Sequence, residues 1–179
     1  MNDLLFTLVE QEEYEILLEE AMNEYGQSIL QLVYSYVRNS TVSEDLTQEI
    51  FVKFYNSLPT YSKQSSLKTW LWRIAINHCK DYLKSWYVRK MQFTEHIHTM
   101  FESSKEMIEE EMVKKEESEE LVQNVMSLPL KYRELIYLHY FEGYTIKEIA
   151  ELLSINSNTI YKLWIGSYIC KCSVHWHRA

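Results

Sequence analysis

The sequence predicts an all-α protein made of two small helical domains joined by a charged linker. Its 179 residues include only 3 glycines and 2 prolines, which are too few turn residues for an all-β fold. Apolar residues recur at helical spacing in several segments, as expected for helices with one buried face. No apolar run approaches the roughly 20 residues of a membrane span, so we expect no membrane insertion.

Two further features predict a cytoplasmic protein. The first residues lack the basic segment that begins a secretory signal peptide. The three cysteines, Cys79, Cys170 and Cys172, are an odd number without the spacing of a disulfide framework. Such cysteines are typical of reduced thiols in a cytosol.

The first two predicted helices each have one apolar stripe. The first stripe comprises Ile29, Leu32, Val33 and Tyr36, and the second comprises Leu46, Ile50, Phe51, Phe54 and Leu58. We expect the second helix to begin at Ser43 as its N-cap, with Glu44 and Asp45 in the first turn. Pro59 is expected to end it, and residues 60–66 read as a polar loop.

The third predicted helix is basic and aromatic in a protein of net charge −8. Residues 62–90 have a local net charge of +6 and contain five tryptophan and tyrosine rings, whereas residues 1–61 have a net charge of −9. Cations that track phosphates, beside rings on which bases stack, are what binding of a separated DNA strand requires. The alternative is a core helix with a solvated lysine face. The expected inward residues are Trp70, Ile74, Asn77, Cys79 and Leu83.

The last predicted helices have the signals of a helix-turn-helix. Leu128 and Pro129 open a helix, and Gly143 is placed to end it. The segment 145–148 (TIKE) has the form of a capping box. Ile146, Ile149, Ala150 and Leu153 then form an apolar face, and Asn156 or Ser157 is expected to cap a further helix. A small residue at position 150 suits two closely crossing helices, although an ordinary helical hairpin would share the pattern.

These patterns divide the chain into four parts. We expect a first domain at 10–90, an acidic linker at 91–117 whose C-terminal half is helical, a helix-turn-helix domain at 118–165 and an atypical tail at 166–179.

Three segments in this order resemble a bacterial RNA polymerase sigma factor of the extracytoplasmic-function type, which is group IV of the sigma-70 family. Residues 43–51 (SEDLTQEIF) are similar to the family's DLxQExF stretch, and residues 68–77 (KTWLWRIAIN) to its TWLxxIAxN stretch. Residues 128–160 are similar to its LPxxxRxxxxLxxxxGxxxxEIA pattern with the following TV. The resemblance implies a region 2 bundle and a region 4 helix-turn-helix, which bind core polymerase and promoter DNA.

The resemblance also implies roles for residues at matching positions. The clamp of the largest polymerase subunit would be bound by Asp45, Gln48, Glu49, Val52, Lys53 and Leu58. The promoter element near the start site would be bound by Lys63, Lys68, Arg73, Asn77, Lys80, Asp81 and Lys84. The distal promoter element would be bound in its major groove by Asn158, Thr159, Tyr161 and Lys162. Phe51, Phe54, Trp70 and Trp72 are expected in the core, and an anti-sigma factor is an expected partner.

The tail departs from the family's arginine-rich continuation. No arginine follows Lys162 before Arg178, and Gly166 weakens a helix by about 1 kcal/mol. The tail resembles either translation in another reading frame or a diverged end, and it predicts weaker phosphate binding at the distal element. Its Cys170, Cys172, His175 and His177 could supply zinc ligands in number, but their spacing is not that of a zinc finger. We therefore expect no metal or other cofactor.

Two alternatives to a working sigma factor remain open. One is a stand-alone helix-turn-helix regulator that binds duplex DNA as a dimer, and the other is a defective sigma-like protein that occupies polymerase without placing it on a promoter. The sequence has no glycine-rich phosphate loop, nucleophile elbow or HExxH motif, so we do not expect an enzyme.

Overall fold

The structure is a computed structural model that describes residues 2–96 and 116–165, with side-chain surroundings for 12–87 and 122–165. The described residues are helices joined by short turns, as predicted. The chain divides into two compact units, Met1–Tyr82 and Leu83–Ala179. None of the helices in the described ranges is both long and apolar enough to cross a membrane.

The first unit is built from three long helices. Helix α1 is Asn2–Val37, α2 is Ser40–Ser57, and α3 is Leu67–His96, which continues past the division between the units. A short 3-10 turn, Leu58–Thr60, follows α2 and contains Pro59, so the predicted end of α2 is confirmed. The connection through Arg38 and Asn39 folds α2 back against α1.

Asn39, not Ser43, is the N-cap of α2. The Asn39 side chain accepts a hydrogen bond from the Val42 backbone N–H at 2.9 Å, and the helix begins at Ser40. Ser43 is buried one turn inside the helix, where its hydroxyl donates to the Asn39 carbonyl. The sequence prediction was wrong because Ser43 and Asn39 both have N-cap chemistry, and the apolar stripe alone does not show where the turn from α1 ends.

The core of the first unit confirms the predicted stripes of α1 and α2 and corrects that of α3. The buried apolar side chains of these three helices and the 3-10 turn are Ala21, Ile29, Leu32, Val33, Tyr36, Leu46, Ile50, Phe51, Phe54, Leu58, Leu71, Trp72, Ala75, Ile76 and Cys79. On α3, Asn77 is exposed, whereas Trp70, Ile74 and Leu83 are only half-buried. Of the five predicted inward residues, Cys79 is buried, and Leu71, Trp72, Ala75 and Ile76 complete the buried face. The predicted residues do not share one helix face, since Asn77 and Cys79 lie about 160° apart around the helix.

The second unit has short helices with marked ends. Helix α4 is Glu116–Ser127, α5 is Leu130–Ile136 with a π turn at Tyr137–Phe141, α6 is Ile146–Leu153, and α7 covers residues 157–165. The Arg133 guanidinium donates to the Met126 carbonyl at 3.1 Å and joins α5 to the end of α4. The buried side chains are Leu128, Arg133, Glu134, Leu135, Ile136, Tyr137, Leu138, Tyr144, Ile149, Ala150, Leu152 and Ile160.

The predicted boundaries of α6 are confirmed in atomic detail. Gly143 has a φ of 74°, the left-handed conformation that favours glycine after a helix. The Thr145 hydroxyl accepts from the Glu148 backbone, and the Glu148 carboxylate accepts from the Thr145 backbone, so the capping box is complete. At the other end, Ser154 has a φ of 56°, and the Ile155 N–H donates to the Ala150 carbonyl at 2.9 Å.

The turn into α7 completes the helix-turn-helix. The Asn156 side chain accepts from the Asn158 backbone N–H at 2.8 Å, so Asn156 caps α7, one of the two predicted caps. Ala150 and Ile160 are buried, as the pattern of two closely packed helices requires. On α6, Leu152 is buried and Leu153 only half-buried, so the predicted apolar face is off by one residue at its end. The predicted linker and tail lie largely outside the described residues.

Candidate functional site

One exposed face of α2 mixes acids with an apolar side chain. Asp45, Gln48, Glu49, Val52 and Lys53 are all exposed, and they recur at helical spacing opposite the buried stripe. Val52 is 59 % exposed although it is aliphatic. An apolar residue held in water beside carboxylates is suited to binding a basic protein surface. We call these five residues the α2 face.

Leu58 does not belong to this face. The structure buries it to 4 % exposure at the start of the 3-10 turn. The proline that follows tightens the chain there, which turns Leu58 into the core below the end of α2. It supports the α2 face rather than forming part of its surface.

A second exposed strip runs along α3. Arg73, Asn77, Lys80 and Lys84 are spaced by four, three and four residues, so they fall within about 60° of one another around the helix. Arg73, Asn77 and Lys84 are exposed and Lys80 is half-buried. We call these four residues the α3 strip. Asp81 is exposed at its edge, where its carboxylate reduces the positive field locally.

The structure does not bring Lys68 and Lys63 into the α3 strip. Lys68 lies about 140° around the helix from Arg73 and is half-buried, with its ammonium 5.1 Å from the Trp72 ring centroid and 6.0 Å from that of Tyr25. Contacts of this kind stabilise a cation against an aromatic face, so Lys68 contributes to packing. Lys63 is exposed in the loop before α3.

Two tryptophans of α3, Trp70 and Trp72, have packing contacts within the first unit. Trp72 is fully buried and meets Tyr25 of α1 edge-on at 5.2 Å. Trp70 stacks on Tyr61 at 4.8 Å and contacts Phe54 at 5.3 Å. The expectation that both lie in the core is confirmed for Trp72, whereas Trp70 is only half-buried. Helix α3 therefore has packed rings on one side and exposed cations on another, which is the arrangement expected of a core helix with a solvated lysine face. DNA binding by these cations stays a prediction.

Helix α7 also has an exposed strip. Asn158, Tyr161, Lys162 and Ile165 recur at the spacing of one helix face, and all four are exposed. Thr159 is exposed beside them, whereas Ile160 is buried. Asn158 gives the strip one amide and Lys162 gives it one cation. The other two residues, Tyr161 and Ile165, are 58 % and 46 % exposed and have no charge. Trp164 packs on His139 and Tyr140 at 4.4 and 5.6 Å.

Comparison with known proteins identifies the chain. Residues 21–86 match the sigma-70 region 2 family and residues 118–163 match the sigma-70 region 4 family. The ECF RNA polymerase sigma factor SigW of Bacillus subtilis is 31 % identical over 144 residues, which cover 76 % of each protein. The ECF sigma-E factor of Escherichia coli K12 is 32 % identical over 143 residues, which cover 76 % of this chain and 74 % of that protein.

The chain belongs to the sigma-70 family of RNA polymerase sigma factors, in its extracytoplasmic-function group. It is a promoter-recognition sigma factor. Solved structures share its fold. They include CnrH in complex with the cytosolic domain of CnrY, with a TM-score of 0.64, 14 % identity and coverage of 92 % of this chain and 91 % of that chain. RpoE of Bartonella quintana in complex with the anti-sigma factor NepR has a TM-score of 0.63, 16 % identity and coverage of 85 % and 92 %.

A polar bridge between α2 and α3 was not predicted from the sequence. His78 of α3 contacts Glu49 and Lys53 of α2, each at 2.7 Å. A lone histidine on a basic helix gives no signal of such a contact, because the pairing of α2 with α3 brings together residues 25 and 29 positions apart. Within the described ranges, no cluster of three or more histidine, cysteine, aspartate or glutamate side chains is arranged to bind a metal. The Cys170–His177 candidates lie outside those ranges.

Proposed function

We propose that the sigma factor binds the clamp of the largest subunit of core RNA polymerase through the α2 face. Exposed Val52 supports this assignment, because a branched aliphatic side chain held in water between acids gains by burial against a partner. Asp45 and Glu49 favour a basic partner and steer its approach. Leu58 is excluded from direct contact by its burial.

We also propose that the α3 strip contacts the promoter near the transcription start site. The observation that carries this assignment is a row of three cations and one amide at helix spacing in a protein of net charge −8. Arg73, Lys80 and Lys84 would track phosphates. Asn77 has both a donor and an acceptor, so it can read a base edge.

Helix α7 would bind the distal promoter element with few phosphate contacts. Its exposed strip contains one cation, Lys162, whereas Asn158 can pair with an adenine edge in the major groove. We expect this element to contribute less affinity than the element bound by α3. The two alternatives from the sequence, the stand-alone regulator and the defective factor, predict different affinities of α7 for the distal promoter element.

An anti-sigma factor remains a proposed partner. RpoE of Bartonella quintana is solved in complex with the anti-sigma factor NepR. CnrH is solved in complex with the cytosolic domain of CnrY. Exposed Val52 in the first unit and, separately, exposed Tyr140 and Phe141 in the second unit each offer apolar surface to a sequestering protein. We place the sigma factor in the cytoplasm with its polymerase, where it acts as a binding subunit rather than as an enzyme.

Run-off transcription with purified core polymerase tests these assignments. We expect the wild-type protein to direct specific initiation, and the variants Asp45→Lys and Val52→Glu to bind core polymerase less tightly while remaining folded. A stand-alone regulator would bind duplex DNA without polymerase and would not change its initiation. A defective factor would bind polymerase but yield no specific transcript.

A further inference from the structure

His78 lies where the α2 face meets α3. Its side chain is 11 % exposed, whereas Glu49 is 60 % exposed. The imidazole Nε2 is 2.7 Å from Glu49 Oε2, and Nδ1 is 2.7 Å from Lys53 Nζ. One ring from α3 therefore contacts two side chains that are one turn apart on α2.

The donor and acceptor chemistry fixes the orientation of this bridge. A lysine ammonium can only donate, so Nδ1 of His78 must accept from Lys53. Nε2 then holds the ring proton and donates it to the Glu49 carboxylate, which can only accept. Both hydrogen bonds involve a charged partner, and such bonds are shorter and stronger than neutral ones.

The bridge limits the freedom of two long side chains. Glutamate and lysine each lose rotamer freedom when they are held in one geometry, and a binding partner would otherwise have to order them itself. Because His78 is itself mostly buried beside the α2–α3 contact, it holds them from below and leaves their charges at the surface.

We propose that His78 is a positioning residue for polymerase binding, which fixes Glu49 and Lys53 in the geometry that the polymerase recognises. The proposal rests on the assignment of the α2 face to polymerase. It assigns a function in polymerase binding to a residue of the helix that is proposed to contact DNA.

A matched pair of substitutions separates positioning from packing. His78→Leu keeps an apolar body of similar size but removes the donor and the acceptor. His78→Gln keeps one donor and one acceptor side by side on its amide, so it can donate to Glu49 and accept from Lys53. We expect His78→Leu to weaken binding of core polymerase by about three- to tenfold, and His78→Gln to restore it to within about twofold of wild type.

The decisive measurement repeats His78→Leu in a Glu49→Gln/Lys53→Met background. Binding of labelled full-length sigma factor to core polymerase is titrated for each variant, and thermal unfolding by circular dichroism reports the folded fraction. If His78 acts through its two partners, His78→Leu has no further effect on affinity in that background. An equal loss in both backgrounds, or no loss in either, would overturn the proposal.

The variants Asp45→Lys and Val52→Glu distinguish failure of this inference from failure of the proposed function. Neither residue contacts His78 in the bridge. If both variants weaken binding and His78→Leu does not, only the positioning function falls. If both leave the affinity unchanged, the assignment of the α2 face is wrong and the positioning function falls with it.

Discussion

The two units of this sigma factor reach their folds by different means. In the first unit, α1 and α2 contain 36 and 18 residues, and the 30-residue helix α3 begins there and continues past the division between the units. Large side chains such as Trp72 and Phe54 fill the space between these helices. In the second unit, α5 and α6 contain only 7 and 8 residues, and their ends are set by Pro129, Gly143 and the Thr145 capping box. Isolated helices of that length are marginal in water, so the second unit depends more on local end signals and the first on side-chain packing.

The strongest test of this difference removes a core ring from the first unit. We expect Trp72→Ala to destabilise that unit by about 3–5 kcal/mol, because removal of a fully buried ring leaves a cavity in the core. Urea denaturation followed by circular dichroism measures the change. The matched control is Trp86→Ala on the same helix, where the ring is 46 % exposed. Trp86→Ala should lower the free energy of unfolding by less than about 1 kcal/mol. A similar loss for both variants would show that core packing is not the main source of stability in the first unit.

A second test asks whether the cations of α3 differ as their positions suggest. Arg73→Ala should weaken promoter binding by the polymerase holoenzyme, and it should reduce the slope of log affinity against log salt by about 0.7–0.9, the contribution of one phosphate contact. Lys68→Ala should leave that slope unchanged and lower the thermal stability instead, because its ammonium packs on two rings. The same slope change for both variants would contradict the separation of Lys68 from the α3 strip.

The end signals of the second unit can be tested at its capping box. We expect Thr145→Ala to cost about 1 kcal/mol, because the Glu148 backbone N–H loses its acceptor. Thr145→Ser keeps the hydroxyl and should cost much less. Thermal unfolding of the full chain measures both, and an equal loss for serine and alanine would exclude the cap as the cause.

The capping box also makes the stability of α6 depend on pH. The side-chain and backbone hydrogen bonds from Thr145 hold the pKa of Glu148 below its ordinary value of 4.5. A carboxyl with a lowered pKa stabilises the fold above its ordinary pKa, and this contribution is lost as the pH falls through the folded-state value. The difference in melting temperature between wild type and Thr145→Ala should therefore shrink in acid. If the difference in melting temperature instead grows as the pH falls below 4.5, the Glu148 carboxylate is not the source of the pH dependence.

The smallest expected effect concerns the weakly basic strip of α7. Ile165→Arg adds a cation to an exposed position in line with Asn158 and Lys162. It should tighten binding of the distal promoter element a few-fold at low salt. The slope of log affinity against log salt should become steeper by about 0.9, the contribution of one added phosphate contact. Val122→Arg adds the same charge at a 48 % exposed position on α4 and serves as the control. Equal tightening by both would indicate a general charge effect.

The sequence predicted the second unit more closely than the first, for a physical reason. A proline, a glycine and a capping box act within a few residues of where they stand, so the ends of α5 and α6 could be read directly. The start of α2 and the inward side of α3 depend on which long helices face each other. That is why Asn39 replaced Ser43 as the cap, why Asn77 turned outward, and why the link from His78 to Glu49 could not be foreseen. The residues of the exposed strips followed from the resemblance to sigma factors, but the burial of Leu58 and the packing of Lys68 required the fold.

Arg73 and His78 are five residues apart on one continuous helix. A rise of about 7.5 Å and a rotation of about 140° relate their positions, and an unbroken run of backbone hydrogen bonds keeps both values nearly constant. A sigma factor that tilted or rolled α3 to follow a melting strand would therefore shift the ring that holds Glu49 and Lys53. Under the two proposed contacts, opening of the promoter strand and binding of core polymerase would then be coupled through one continuous helix.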